Sequence, residues 1–144
     1  MTSIANDVRV PAPEVARRLL RAKDFIDVHY DERLDVAAAA RVAHHSPAHF
    51  TRQFRRAFGE TPHQYLLSRR LERAAHLLRN TDYTFARIAV SVGMSSVGTF
   101  TSAFRRVYGN TPTEYRALHL PGLVDRVIPT CVREAINRPQ LSRI

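Results

Sequence analysis

His49-Phe50-Thr51-Arg52-Gln53-Phe54-Arg55-Arg56-Ala57-Phe58-Gly59-Glu60-Thr61-Pro62-His63-Gln64-Tyr65 returns fifty positions later as Thr99-Phe100-Thr101-Ser102-Ala103-Phe104-Arg105-Arg106-Val107-Tyr108-Gly109-Asn110-Thr111-Pro112-Thr113-Glu114-Tyr115. Nine of the seventeen aligned positions are identical. Self-similarity at a fixed period marks one supersecondary unit built twice. Phe50, Phe54 and Phe58 fall at i, i+4 and i+8, as do Phe100, Phe104 and Tyr108, which gives each copy one apolar stripe along a helix. Gly59 and Gly109 follow where a helix needs a left-handed residue to stop. Thr61 and Thr111 then act as N-caps, Pro62 and Pro112 as first helical residues, and Gln64 and Glu114 close capping boxes. Opposite the stripe stand Arg52, Arg55 and Arg56 in one copy, Arg105 and Arg106 in the other. An aromatic inner face with an arginine outer face suits a nucleic-acid groove.

Upstream of the first copy, Val15, Leu19, Ala22, Phe25 (or Ile26) and His29-Tyr30 keep helical spacing over about 14–30. Asp35 caps a short alanine-rich helix over about 36–43, and Ser46-Pro47 opens the next, which runs to Phe58. A short helix, a tight turn and a second helix make a helix-turn-helix over about 35–58. The capping box at Thr61 opens a linker helix over about 62–79, with Tyr65, Leu66, Leu71, Ala74, Ala75 and Leu78 as its inner face. Asn80-Thr81-Asp82 breaks it. Thr84 caps a helix over about 85–92, Gly93-Met94-Ser95-Ser96 forms the turn, and the second repeat helix completes a second helix-turn-helix over about 84–108. The offset near Ala40 and Ala89 is 49, so the second turn holds one extra residue. The expected fold is all-α: two helix-turn-helix subdomains joined by one long helix, occupying 14–118. A loose tail is expected over 1–13. The role of 119–144 is open, although Val124, Val127, Ile128, Val132 and Ile136 make a small apolar face there.

Composition bounds the partner. The chain has 144 residues, 44% of them hydrophobic, which suffices for a core. Net charge +9 and a pI near 10.9 favour a polyanion. Lys23 is the only lysine, and arginine suits bidentate phosphate and guanine contacts better than lysine does. Cys131 is the only cysteine, so a disulfide framework is excluded and a reducing cytoplasm is the expected location, in association with the nucleoid. No signal peptide and no membrane span are read. An enzyme finds no support. His44, His45 and His49 are metal-ligand types, but Ser46 caps a new helix between them and no cysteine or carboxylate is near, so no metal is expected. Cys131 lacks a His-acid arrangement, and no glycine-rich phosphate loop exists, so no cofactor is expected.

These residues resemble the DNA-binding domain of the AraC/XylS family of bacterial transcription regulators. The resemblance covers roughly 15–118. It is carried most specifically by Ile88-Ala89, Val92-Gly93-Met94, Phe100, Phe104-Arg105-Arg106, Tyr108-Gly109 and Thr111-Pro112-Thr113-Glu114-Tyr115. It implies two recognition helices entering successive major-groove turns on one side of duplex DNA. The linker helix would hold their separation, a regulator of activating sense would result, and RNA polymerase would be a further candidate partner. Two departures stand out. Only some fourteen residues precede the domain, too few for the larger effector-binding domain of many members, so the chain is similar to the small stand-alone type. His44 occupies the first turn where glycine is common, and a positive φ is expected there.

A linker over 62–79 spans roughly 25 Å, and successive major-groove turns lie about 34 Å apart. A single chain can therefore reach both without dimerising, on an asymmetric site. With the phenylalanines inward, the first recognition helix presents Ala48, His49, Thr51, Arg52 and Arg55 to bases, and the second presents Val97, Gly98, Thr101 and Ser102. Arg56, Arg105 and Arg106 fit phosphates. Arg52 is the strongest base reader, since its fork matches guanine O6 and N7. The short side chains of the second helix make the first unit the main source of specificity. Arg69, Arg70 and Arg73 are open between DNA contact and pairing with Glu72 or Asp35. A non-specific architectural nucleic-acid binder is the competing reading.

Overall fold

A computed structural model describes residues 11–119, so the expectations for residues 1–10 and 120–144, Cys131 and the apolar face among them, lie outside the described residues. The described chain is all-α: α1 (Pro13–His29), α2 (Val36–Val42), α3 (Pro47–Phe58), α4 (Pro62–Asn80), α5 (Phe85–Ser91), α6 (Val97–Tyr108) and α7 (Pro112–Leu118). Local chemistry sets most of these ends. Asp35, Ser46, Thr61, Thr84, Ser96 and Thr111 each accept a backbone N–H of the first turn that follows. Both expected capping boxes are complete, with Gln64 and Glu114 reaching back to the cap N–H. Gly59 and Gly109 end α3 and α6 in the left-handed conformation at φ 80° and 78°. A side chain disfavours that region, so glycine stands there.

The helices enclose two cores, one per unit. Leu19, Ala22, Ile26, Ala39, Ala40, Ala43, Phe50, Phe54 and Leu66 form the first. Ile26, rather than Phe25, takes the fully buried position on α1. The second core gathers Leu71, Ala74, Leu78, Ile88, Val92, Phe100, Phe104, Val107 and Tyr115. Alanines at 22, 39, 40 and 43, all fully buried, let α2 approach α1 closely.

Helix α4 serves both cores, closing the first through Leu66 and opening the second through Leu71. Its inner face is wider than the sequence spacing implies, because Pro62, Ser68 and Leu77 are buried too. Tyr65, by contrast, is only half-buried, since its hydroxyl leaves the core to donate to Asp27 Oδ1 at 2.6 Å. Phe58 departs similarly. It sits half-exposed at the end of the stripe, with the Lys23 ammonium 4.9 Å from its ring centroid. The two units are built alike but wired with opposite polarity. Tyr65 donates to a carboxylate of α1, whereas Tyr115 accepts from Arg79 of α4 at 2.7 Å.

Candidate nucleic-acid interface

The turn between α2 and α3 places His44 at φ 57°, the only positive φ at a non-glycine residue among those described. That strained residue aims the chain into Ser46, whose Oγ accepts from His49 N at 3.4 Å to start α3. Phe50 and Phe54 then anchor the inner face at zero exposure. Their burial turns Ala48, Arg52, Arg55 and Arg56 outward, all exposed. His49 is half-buried, its ring edge-on to His45 with centroids 4.6 Å apart. Thr51 is half-buried as well, and its hydroxyl donates to Pro47 O at 2.9 Å. Of the five predicted base readers in this helix, three are therefore fully presented and two sit at the margin of the face.

Helix α6 repeats the construction. Ser96 Oγ accepts from Thr99 N at 3.1 Å and donates to Thr99 Oγ1 at 2.9 Å. Phe100, Ala103, Phe104 and Val107 go inward. Val97, Gly98, Ser102, Arg105 and Arg106 are exposed, and Thr101 is half-buried. The Phe104 ring stacks on Tyr108 at 4.5 Å and meets Tyr115 edge-on at 5.2 Å, so the phenylalanines belong to the core and are unavailable for base stacking.

Charge separates this face from the rest of the molecule. Residues 36–59 and 83–113 contain no aspartate or glutamate at all. Arg52, Arg55, Arg56, Arg105 and Arg106 make no ion pair among the described residues, and neither do the exposed Arg17, Arg21, Arg33, Arg41 and Arg73. The acids lie elsewhere, and three of them are paired there. Glu14 pairs with Arg18, while Asp27 and Glu72 hold Arg69 at 2.9 and 2.7 Å. The acid-free stretches are plain in the sequence and would have marked the face without any periodicity argument. Arginines in the last turn of α3 and α6 also complement the negative end of each helix dipole.

The linker arginines take other roles. Arg69 pairs with Asp27 as well as Glu72, and Asp35 is not its partner because Asp35 is spent capping α2. Arg70 donates to the Tyr30 and Glu32 carbonyls. Arg73 alone of the three stays free and exposed. Behind α3, burial holds His45 below the ordinary histidine range, helped by the neighbouring charges of His49, Arg18 and His44. Among the described residues no group of His, Cys, Asp or Glu has metal-binding geometry. No described helix is long and apolar enough to cross a membrane.

A family model described as a helix-turn-helix domain matches residues 39–118, more than half of the chain. The chain belongs to the AraC-type helix-turn-helix family. The family and fold are those of DNA-binding transcription regulators, not enzymes. The AdpA DNA-binding domain, solved with a target DNA, is similar at 33% identity and a TM-score of 0.66, over 69% of this chain and 90% of that one. A regulator from Chromobacterium violaceum with an AraC-type DNA-binding domain is similar at 29% identity and a TM-score of 0.67, over 74% and 96%. The HTH-type transcriptional regulator YobQ of Bacillus subtilis is 29% identical over 75 residues, which is 52% of this chain and 31% of that protein. The chain spans less than a third of the length of the curated relatives it matches.

Proposed function

We propose that this AraC-type chain is a sequence-specific transcription regulator that sets α3 and α6 into successive major-groove turns on one face of duplex DNA. The observation that carries the reading is the pairing of two capped helices, each backed by its own core and each lying in an acid-free stretch with unpaired outward arginines. Solvent-facing guanidiniums with no internal carboxylate are free to take phosphate and guanine acceptors. AdpA, similar in fold, was solved with its target DNA, which supports duplex DNA as the partner here.

In this reading Arg52 and Arg55 are the hydrogen-bonding base readers of α3, with Ala48 available to thymine methyls and His49 and Thr51 at the edge. Val97, Gly98, Thr101 and Ser102 of α6 offer little hydrogen-bonding reach, so α6 contributes chiefly through Arg105 and Arg106 on phosphates, as Arg56 does for α3. The 19 residues of α4 span about 28 Å, near the roughly 34 Å between groove turns once the width of the helices is added. One chain then covers an asymmetric site as a monomer in the bacterial cytoplasm. Activation, with RNA polymerase as a further partner, is the regulatory sense proposed.

Selection of random duplex DNA by the purified protein tests this. The expected result is one non-palindromic motif with a strong and a weak half about 10 base pairs apart. A bound pool with no enriched motif, combined with steep salt dependence, would sink the reading and leave a non-specific architectural binder.

A further inference from the structure

Three parts of the molecule meet at one short loop. Tyr30 O, at the end of α1, accepts a 2.7 Å hydrogen bond from Arg70 Nε of the linker helix, and Arg70 Nη2 donates to Glu32 O at 2.9 Å. Against the same loop lies Gly93, in the turn of the second helix-turn-helix, at φ 77°. A Cβ at that position would stand 2.9 Å from Asp31 O, closer than real Cβ atoms approach other atoms, and 3.0 Å from Tyr30 O, tighter than most do. The other two positive-φ glycines have nothing within 4 Å of such a Cβ, so only at Gly93 does a close approach add to the conformational need.

The loop belongs to the first unit, because α1 closes the first core, whereas Gly93 joins α5 to α6 in the second. Arg70 lies on α4 between Leu66 of one core and Leu71 of the other. The continuous helix α4 fixes how far apart the units stand. The seating of the Gly93 turn on the loop adds a second point of attachment, which opposes twisting of one unit about the linker axis. Arg70 holds the loop in place for that seating, since one planar guanidinium can grip two carbonyls at once and a lysine ammonium is a single point charge.

We propose that the junction of Arg70, the 30–32 loop and Gly93 locks the two recognition helices in one relative orientation, and thereby sets the half-site spacing that the protein accepts. Arg70 and Gly93 are positioning residues. The inference rests on the reading that α3 and α6 occupy successive groove turns. A rigid connection concentrates the second helix at one spacing and forfeits the others, whereas a loose connection spreads it over several.

The test uses the full chain and the selected two-half duplex, the same duplex with about two base pairs inserted between its halves, and the strong half alone. Each inserted pair moves the second half by about 3.4 Å and rotates it around the axis. For the natural chain, the insertion is expected to weaken binding by about tenfold. Arg70→Met keeps the methylene stem and removes the fork; Gly93→Ala inserts the Cβ against the loop. Both variants are expected to bind the strong half like the natural chain, to bind the optimal duplex less well, and to lose only about two- to threefold on insertion. An unchanged salt slope should accompany this, since no phosphate contact is removed. Variants that keep the natural spacing ratio overturn the inference. So do variants that lose the strong half in proportion to the whole site, which would make the junction a prop of one unit only. If the natural chain itself ignores the insertion, the two-turn reading fails first and takes this inference with it.

Discussion

At the scale of single residues, Arg52 and Arg56 lie four residues apart on α3 and are both exposed, yet their expected roles differ. Arg52 lies in the middle of α3, Arg56 one turn further on in its last turn. Arg52→Ala should cost about 1–3 kcal/mol of discrimination at one or two base pairs. Arg56→Ala should weaken all sequences alike and lower the slope of log K against log salt by about one. Competition binding over a set of point-substituted duplexes separates the two, and a uniform loss for Arg52→Ala would reassign it to phosphate. His45 carries a different expectation. Its Nε2 is buried without a hydrogen-bond partner, and burial lowers its pKa from 6.5, with His49, Arg18 and His44 adding to the shift. A histidine with a lowered folded pKa binds more protons unfolded than folded as pH falls below 6.5. Its share of stability is whole above that pH and is lost on acidification toward the folded value. Urea midpoints should therefore drop between about pH 7.5 and about pH 5.5, and His45→Gln should flatten that slope.

Single elements depend on their ends and their stripes. Gly59 is left-handed with open space where a Cβ would go, so Gly59→Ala costs only conformational strain, about 1 kcal/mol. His44 is the mirror case. It already bears a side chain at φ 57°, and His44→Gly should gain about 0.5 kcal/mol, less than the full strain because histidine tolerates this region better than most residues and glycine adds unfolded-state entropy. Thermal melts of the two variants should shift in opposite directions. Phe54→Ala is the severe change. Its ring is fully buried and meets Phe50, Phe58 and Tyr65 at 5.5, 4.6 and 5.8 Å, so about 3–5 kcal/mol should be lost with the cavity it leaves. A loss below about 1 kcal/mol would mean that the first core repacks around the gap.

For the whole molecule, the sharing of α4 between two cores makes the units one mechanical body with two unlike outer faces. Hydrogen-bonding side chains dominate the outer face of α3, and small ones the outer face of α6. Duplexes carrying only the first unit's half should therefore compete well, and those carrying only the second unit's half poorly, with one chain bound per full site in a sedimentation measurement. Two chains per site, or equal halves, would contradict the asymmetric monomer.

Local spacing in the chain was enough to place the helices, their caps and the outward arginines. Those features rest on spacings of two to eight residues, where backbone geometry alone dictates which side chains meet. The repeat extended that local reading to a second unit at no further cost. What the sequence left open was decided by contacts between residues far apart in the chain. Arg69 found Asp27 rather than Asp35, because capping α2 consumed Asp35 while α1 laid Asp27 beside the linker. Tyr65 turned outward to Asp27, whereas its repeat partner Tyr115 stayed in the core and took Arg79. His49 tilted onto His45 and left the centre of the face to Arg52. Arg70 reached back forty positions to the Tyr30 carbonyl, and that bond sits beside the glycine of the second turn. Such partners depend on how whole helices pack, because a half-buried guanidinium or hydroxyl takes whichever acceptor the packed surface brings within about 3 Å.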